Sequence, residues 1–222
     1  MPRPKGSRDG DHEDKRRALL QQMSVRMMRR EIARPSLRDL AAAAGVSVPT
    51  VRHYFGPRAK VVDAVLAECL RLGRAGLDAQ ADSDKPFAQS IEDYAQALVG
   101  ALLAPRDVRL GDVFAVSLAE GLVDAQAGRS ALDHIIDPTL AVLEARLARH
   151  IERGEMAKAD VRAAALMLLS PLLLACLHQV QLNGADKRPL AVRDLASTLS
   201  ASFVRAYGVP GARRTDDQPR PV

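Results

Sequence analysis

Residues 36 to 55 read Ser-Leu-Arg-Asp-Leu-Ala-Ala-Ala-Ala-Gly-Val-Ser-Val-Pro-Thr-Val-Arg-His-Tyr-Phe. This pattern predicts two short helices joined by a tight turn. Ser36 and Ser47 each precede a helical run and are suited to cap it through the hydroxyl. Gly45 tolerates the left-handed backbone that ends a helix, and Pro49 falls in the first turn of the second helix, where a missing N–H is harmless. Two helices with a short glycine-containing turn are the sequence form of the helix-turn-helix.

The positive charge of the chain is concentrated around this motif. The 222 residues carry a formal net charge of +5. Residues 1 to 62 hold 14 Lys and Arg against 6 Asp and Glu, a net of +8, so the remainder has a net charge of −3. A basic N-terminal third that overlaps a helix-turn-helix is typical of a nucleic-acid-binding head on a neutral or acidic body.

The residues that follow the turn extend the pattern beyond a generic helix pair. Gly45-Val46-Ser47-Val48-Pro49-Thr50-Val51 is followed by Tyr54-Phe55, and then by Arg58 and Val61. This arrangement resembles the DNA-binding domain of TetR-type bacterial transcriptional regulators, and the similarity covers about residues 15 to 66. The rest of the chain resembles that family in size and helical character.

Three positions differ from the usual pattern of that family. Arg52 stands where Tyr is usual, Tyr54 where His is usual, and Arg58 where Lys is usual. Each exchange keeps a hydrogen-bond donor that is able to bind a phosphate. The residues expected to contact DNA are Arg38, Ser47, Val48, Pro49, Thr50, Arg52, His53, Tyr54 and Arg58.

These residues are expected to divide the work of DNA recognition. Thr50 and His53 lie off the apolar face of the second helix, so we expect them to contact base edges. Val48 and Pro49 offer apolar contacts to thymine methyl groups. The other basic and hydroxyl groups, namely Arg38, Arg52, Tyr54 and Arg58, are expected to bind phosphates and set the register.

Composition and periodicity predict an all-α fold. Ala and Leu are abundant, aromatic residues make up 3% of the chain, and β-type alternation is absent. We expect a helix-turn-helix head of three helices followed by a larger helical domain for ligand binding and dimerisation. The expected boundaries are a disordered basic arm over 1–11, the head over 12–60, the larger domain over 61–208 and a disordered tail over 209–222.

The last two predicted helices, 159–182 and 190–207, carry more apolar surface than one neighbour covers. Such a pair is able to dock against a second copy as a four-helix bundle, and the resemblance implies a homodimer formed in this way. The alternative is that the first of these helices is the core of a large helical domain. The residues expected at the interface are Leu169, Leu172, Leu173, Leu195, Leu199 and Phe203.

The resemblance also implies a pocket for an unidentified small-molecule effector in the larger domain. Polar residues that interrupt its apolar helices are the candidates for ligand contact. They are Tyr94, Asp112, Ser117, Glu120, His134 and His178. Effector binding is expected to move the helix that begins after Pro57 and so to change the spacing of the two heads of a dimer.

The sequence therefore predicts a ligand-responsive, sequence-specific DNA-binding regulator. The expected form is a repressor that binds a palindromic operator as a dimer and is released by a small molecule. We expect no catalytic residues, because no nucleophile, base or metal set is recognisable, and the five histidines lack metal-ligand spacing. No cofactor and no metal are expected, and the protein is not expected to be an enzyme.

Two further expectations concern location and partners. No apolar leader begins the sequence, and the longest apolar run, residues 163 to 177, is shorter than a membrane span needs, so we expect a cytoplasmic protein without membrane contact. The two cysteines, Cys69 and Cys176, are expected to be buried thiols. The alternative function is that of a helical adaptor whose basic face binds an acidic protein in place of DNA.

Overall fold

The computed structural model describes residues 6–29, 34–105 and 108–210. Within these ranges the fold is all-α, as the composition predicts, and strands are absent apart from one isolated bridge between Met156 and Gly208. The α-helices are α1 (Gly6–Met28), α2 (Leu37–Ala43), α3 (Val48–Phe55), α4 (Arg58–Asp78), α5 (Phe87–Leu103), α6 (Leu110–Gly121), α7 (Ala125–Ala131), α8 (Asp137–Glu152), α9 (Val161–Cys176) and α10 (Val192–Tyr207).

The chain divides into two compact units. Unit 1 contains the described residues up to Gly73 together with Pro105–Asp137, and unit 2 contains Arg74–Ala104 together with the described residues from Pro138 onward. The expected boundary near residue 60 lies inside unit 1. The reason is that α6 packs against α1 and α7 packs against α6, so that a segment we expected in the larger domain is part of the head's unit.

The core of unit 1 is built on α1. Its apolar side chains Leu19, Leu20, Met23, Met27 and Met28 are all buried, as their spacing predicts. The apolar stripe at the start of α4 adds Val61, Val62, Val65 and Leu66 to the buried set. These side chains exclude water beneath the helix-turn-helix and hold α2 and α3 in place.

Unit 1 also contains a close helix contact that composition alone did not predict. Helical periodicity predicts one helix over about 107–126, but α6 ends at Gly121. Asp124 then caps a new helix, α7, by accepting hydrogen bonds from the backbone of Gln126 and Ala127. A Cβ atom on Gly128 would lie 3.0 Å from the carbonyl oxygen of Gly121. Glycine at these positions therefore allows α6 and α7 to approach backbone to backbone.

Pro138 is accommodated by a change of helix type. Proline lacks the N–H that an α-helix uses, so the sequence predicts a kink or a break at Pro138. The structure places a π-helical turn, Leu132–Ile136, between α7 and α8, and Pro138 follows as the second residue of α8. The wider turn lets the chain continue helically past the proline.

Unit 2 is organised around α5, α9 and α10, which contact one another pairwise. One side of α9 is buried, and Leu168 and Leu172 are almost fully enclosed. Together with the π-helical turn that follows it, Val161–Gln181 is long and apolar enough to cross a membrane by length and composition, which differs from our expectation. Of its most apolar window, 44% is buried inside the protein, so this helix contributes one side to the core of unit 2.

The ends of the chain differ in part from expectation. Helix α1 begins at Gly6, within the segment expected to be a disordered arm, and residues 1–5 lie outside the described residues. The chain after α10 is fastened by two backbone hydrogen bonds, from Ala157 N–H to the Tyr207 carbonyl at 2.8 Å and from Val209 N–H to the Glu155 carbonyl at 3.1 Å. The rest of the expected tail, 211–222, lies outside the described residues.

Both cysteines are reduced thiols. Cys176 is buried and Cys69 is partly buried. Burial raises the pKa of each thiol to about 11, so both are protonated at neutral pH. This is the state expected of structural cysteines.

Candidate nucleic-acid interface

The first helix of the motif begins with a reciprocal capping arrangement. The Ser36 hydroxyl accepts a hydrogen bond from the Asp39 N–H at 3.2 Å, and the Asp39 carboxylate accepts from the Ser36 N–H at 2.7 Å. The Ser36 hydroxyl also donates to the same carboxylate, and these hydrogen bonds lower the pKa of Asp39. This capping box fixes where α2 starts. The sequence analysis recognised Ser36 but not its partner.

The turn between α2 and α3 is built as the sequence predicts. Gly45 has φ of 66°, the left-handed conformation that glycine tolerates best. The Ser47 hydroxyl caps α3 by accepting from the Thr50 N–H at 3.3 Å, and it also lies 2.9 Å from the Thr50 hydroxyl oxygen. Ser47 and Thr50, both expected at DNA, are therefore hydrogen-bonded to each other in the free protein.

Helix α3 has one buried side and one accessible side. Val51 and Phe55 point into the core and are 0% and 8% exposed. Arg52 and His53 are exposed, and Thr50 is partly exposed, so the side that we expected to contact bases and phosphates is free of the core. Among the other residues expected to contact DNA, Arg38, Ser47 and Pro49 are exposed and Val48 is partly exposed.

An aromatic and basic cluster from α1 extends this surface. The His12 ring stacks on Tyr54 with 4.6 Å between ring centroids, and the His53 ring lies edge-on to Tyr54 at 5.2 Å. The Arg16 guanidinium lies 5.0 Å from the Phe55 ring centroid. Sequence reasoning placed Tyr54 at a phosphate but did not place α1 beside it, because the contact joins residues more than forty positions apart.

Arg58, which we expected to bind a phosphate, is partly buried and paired with other residues of unit 1. Its guanidinium donates to both carboxylate oxygens of Glu120, at 2.7 and 2.5 Å, and its Nε donates to the Pro35 carbonyl at 2.8 Å. Arg34 donates to Glu120 as well, at 3.2 Å. Each of the three guanidinium nitrogens of Arg58 thus has a partner within unit 1.

The same contact changes the interpretation of Glu120, which we expected to contact a ligand. Its side chain is 2% exposed. Burial opposes its ionisation, but the hydrogen bonds and charges of Arg58 and Arg34 outweigh burial and lower the pKa of Glu120. A buried carboxylate with two arginine partners is an ion-pair centre, and its polar groups are already satisfied without a ligand.

Three further ligand candidates lie in unit 1. Asp112 lies in the first turn of α6, and the Ser117 hydroxyl, fully buried, donates to the Phe114 carbonyl at 2.9 Å. His134 lies in the π-helical turn, 3.1 Å from the Asp63 carboxylate of α4, which also accepts from the Ser130 hydroxyl. Burial opposes ionisation of Asp63, but these hydrogen bonds outweigh burial and lower its pKa.

The remaining two candidates lie in unit 2 and are engaged there. Tyr94 is buried, and the Arg146 guanidinium lies 5.6 Å from its ring centroid. The His178 ring fills the space beside Gly184, where an added Cβ would come within 2.4 Å of the imidazole. The six candidates are therefore divided between the two units, and a shared pocket for them stays a prediction.

A buried polar chain in unit 2 has the connectivity of a catalytic triad. The Ser90 oxygen lies 2.8 Å from His150 Nε2, and His150 Nδ1 lies 2.5 Å from a Glu155 carboxylate oxygen. Ser90 and His150 are both 0% exposed, however, and Arg146 donates to the Ser90 oxygen at 2.9 Å. Burial lowers the pKa of His150. A serine closed off in this way cannot reach a substrate, so Ser90, His150 and Glu155 form a structural hydrogen-bond network.

A groove of about 380 Å³ lies on the head, between α1 and α2. Its lining mixes charged, polar and apolar side chains: Gln22, Val25 and Arg26 of α1, Arg29 just after α1, and Asp39, Ala42 and Ala43 of α2. None of the six ligand candidates lines it. The groove thus offers no support for the expected effector pocket.

The expected dimer residues are partly internal. Leu169, Leu172 and Phe203 are 4%, 0% and 6% exposed, so they pack inside the protomer and are not available to a second copy. Leu173, Leu195 and Leu199 are partly exposed. The exposed apolar stripe of α9 lies on its other side and comprises Leu166, Met167, Ser170 and Leu174. The leucines expected to face outward on α9 are therefore partly wrong, and a dimer formed through this helix stays a prediction.

Solved structures of bacterial regulators share this fold. A protein assigned to the TetR family of transcriptional regulators from Mesorhizobium loti superposes with a TM-score of 0.71 at 18% identity, over 89% of this chain and 98% of its own. A transcriptional regulator from Saccharomonospora viridis in complex with choline gives 0.66 at 17% identity, over 89% and 99%. The SmeT–triclosan complex gives 0.63 at 18% identity, over 94% and 99%. No family sequence model matches the chain, and no curated protein is significantly similar to it.

Proposed function

We propose that this chain, which has the fold of TetR-family transcriptional regulators, is a sequence-specific DNA-binding regulator. The observation that carries the proposal is the doubly capped helix-turn-helix, whose α3 turns Val51 and Phe55 inward and leaves Arg52 and His53 exposed. A helix with this division is suited to lie in a major groove with its polar side against the base edges.

In this proposal Thr50 and His53 contact bases, and Val48 and Pro49 lie against thymine methyl groups. The exposed groups Arg38 and Arg52 bind phosphates together with Tyr54, whose position His12 supports by stacking. Arg58 does not contact phosphate in the state described here, because Glu120 and Pro35 occupy its donors. Its role is to position the head.

The active form is a homodimer that binds a palindromic operator and represses transcription by covering a promoter. A second copy docks on the exposed stripe of α9, with Leu195 and Leu199 of α10 at its margin. A small-molecule effector releases the dimer from DNA by favouring a different spacing of the heads, transmitted through α4. The protein acts in the cytoplasm without a cofactor and without enzymatic activity.

Selection from a random duplex library tests DNA recognition. Wild-type protein should enrich an inverted repeat with half-sites about one or two helical turns apart. His53→Ala should lose about 1 to 3 kcal/mol at one base pair per half-site and little on random DNA. Arg52→Ala should weaken binding to all sequences and shallow the log-affinity against log-salt slope by about one.

The adaptor alternative gives the opposite result in the same experiment. A basic face that serves an acidic protein binds heparin as tightly as any duplex, and selection then enriches no sequence. That outcome would remove the regulator proposal and leave the adaptor in its place.

Dimerisation is tested by Leu174→Glu, because Leu174 is 64% exposed on the stripe of α9. A charge buried without a partner at an interface should give a folded, helical monomer with greatly weakened operator binding. Leu122→Glu is the matched control, since Leu122 is 84% exposed but lies after α6. Sedimentation measures the oligomeric state of both variants, and circular dichroism measures their helical content. A dimeric Leu174→Glu protein would contradict the assigned interface on α9.

A further inference from the structure

One buried carboxylate in unit 1 is shared by two arginines. Glu120 lies in the last turn of α6, and its two oxygens accept from Arg58 at 2.7 and 2.5 Å. Arg34 adds a third hydrogen bond at 3.2 Å. Arg34 has φ of 51°, an uncommon conformation for a residue with a side chain, so the backbone at this corner is held under strain.

Arg58 joins three elements through one rigid group. It is the first residue of α4, its two terminal nitrogens bind α6 through Glu120, and its Nε binds the Pro35 carbonyl. Pro35 directly precedes Ser36, the cap of α2. Because the guanidinium is planar and its donors form a fixed fork, a movement of Glu120 must either shift Pro35 or break one of these bonds.

The charges around this fork are balanced. Asp124, which caps α7, lies close enough for Arg34 and Arg58 to lower its pKa, although backbone hydrogen bonds from Ala127 contribute most. The hydrogen bond with Glu120 raises the pKa of Arg58. At neutral pH the cluster therefore holds two cations and two anions, and loss of Glu120 would leave positive charge in excess.

We propose that Glu120 is a positioning residue of the DNA-binding head, which withdraws Arg58 and Arg34 from phosphate binding and fixes the start of α2 against α6. The inference rests on the proposed function, since it concerns how the head meets DNA. A carboxylate and a phosphate bind arginine with the same geometry, so Glu120 and the DNA backbone compete for the same donors. The operator sequence is then recognised by the exposed residues of α3 alone.

Glu120→Gln tests this proposal, because glutamine keeps the shape and one acceptor but removes the charge. Binding to a random-sequence duplex is followed by fluorescence anisotropy between 50 and 200 mM salt. The log-affinity against log-salt slope should steepen by about 0.9 for each arginine that gains a phosphate, so that the ratio of variant to wild-type affinity changes about threefold per contact over this range. Discrimination between the selected operator and random DNA should fall.

A second readout does not involve DNA. Hydrogen exchange in the segment 36–45 should be faster in Glu120→Gln than in wild type, because the Arg58 fork no longer fixes the start of α2. The matched control is Glu144→Gln, which removes an equal charge from a carboxylate that accepts from Arg162 at 3.2 Å in unit 2. The control should keep the wild-type salt slope and the wild-type exchange of this segment.

Arg58→Lys provides a second variant should Glu120→Gln fail to fold. Lysine keeps the charge and reaches one partner, but it lacks the fork that binds Glu120 and Pro35 together. It should speed exchange in the segment 36–45. A wild-type protein that binds no duplex overturns the proposed function. A wild-type protein that binds DNA, with unchanged slope and unchanged exchange in these variants, overturns only the role of Glu120.

Discussion

Arg58 of unit 1 is partly buried and Arg146 of unit 2 is almost fully buried, and the two are held by opposite means. Arg58 binds a carboxylate, that of Glu120. Arg146 is 4% exposed and donates to the carbonyls of Gln80, Asp82 and Ser90 and to the Ser90 hydroxyl. Burial lowers the pKa of Arg146, whereas the hydrogen bond with Glu120 raises the pKa of Arg58.

The difference shows what each contact is able to do. A carboxylate is exchangeable for a phosphate, and its charge is removed by acid or by a single substitution. Backbone carbonyls have neither property, so Arg146 is a permanent fastening of the segment 80–82 to α8. Unit 1 thus contains a contact suited to change during binding, and unit 2 contains one suited to stay.

The largest effect is expected from Arg146→Leu. The substitution removes the donor of two buried acceptors, the Ser90 carbonyl and hydroxyl, and of two part-buried ones, the Gln80 and Asp82 carbonyls, and should reduce the free energy of unfolding by about 3 kcal/mol. No single further substitution should restore it, because the acceptors belong to the backbone. Urea denaturation at one protein concentration measures the loss. Stability within about 1 kcal/mol of wild type would mean that water replaces the guanidinium.

Arg58→Met should cost less, about 2 kcal/mol, because Arg34 still pairs with Glu120. A second substitution should restore stability here, which it should not do at Arg146. The double variant Arg58→Met, Glu120→Leu removes the buried carboxylate together with its arginine partner. Most of the lost stability should return, since apolar side chains replace buried ion pairs at little cost. A double variant as unstable as the sum of the two single variants would show that the pair does not act as a unit.

The two units should lose stability at different pH values as the solution is made acidic. His150 has a lowered pKa, so its neutral form contributes stability that is complete above the usual 6.5 and declines below it, by at most about 1.4 kcal/mol per pH unit. Glu120 also has a lowered pKa, so its contribution is lost only below its usual 4.5. As the pH falls from 6.5 to 4.5, unit 2 should therefore loosen before unit 1, and hydrogen exchange measures this. His150→Gln should remove that pH dependence, and simultaneous loosening of both units would contradict it.

The smallest effect is expected at an exposed ion pair. Lys85 and Asp93 lie 2.5 Å apart, but their side chains are 53% and 44% exposed. Lys85→Ala should change the free energy of unfolding by less than about 0.5 kcal/mol. The result fixes the scale for the other variants, because it separates the effect of charge from the effect of burial. A loss above about 1 kcal/mol would show that charge alone explains the larger effects.

The parts of the fold that depend on neighbours in sequence were predictable. Ser36, Ser47 and Gly45 act within three or four residues, so their pattern predicted the helix-turn-helix and its caps correctly. The apolar repeat of α1 likewise predicted its buried side. Local hydrogen bonding and helical periodicity are properties that a short window of sequence contains in full.

The parts that depend on distant neighbours were not predictable in this way. Glu120 is an acid in the apolar second half of α6, which signals that it has a partner, but that partner lies 62 positions away. The family resemblance implied a phosphate contact for Arg58. A resemblance in sequence does not reveal the ion pair between Arg58 and Glu120. The outward face of α9 was misjudged for a related reason: leucines surround the helix, so periodicity alone does not tell which side meets α5 and α10.

The state of the two thiols offers a practical route to the heads of the proposed dimer. Because burial raises their pKa to about 11, Cys69 and Cys176 should react with a maleimide about a hundredfold more slowly than an exposed thiol of ordinary pKa. A cysteine introduced at exposed Ala42 of α2 would then carry the only label on each protomer. Spin-label distances between two such heads, recorded with and without candidate effectors, would follow the spacing that an operator requires without any need to know the operator itself.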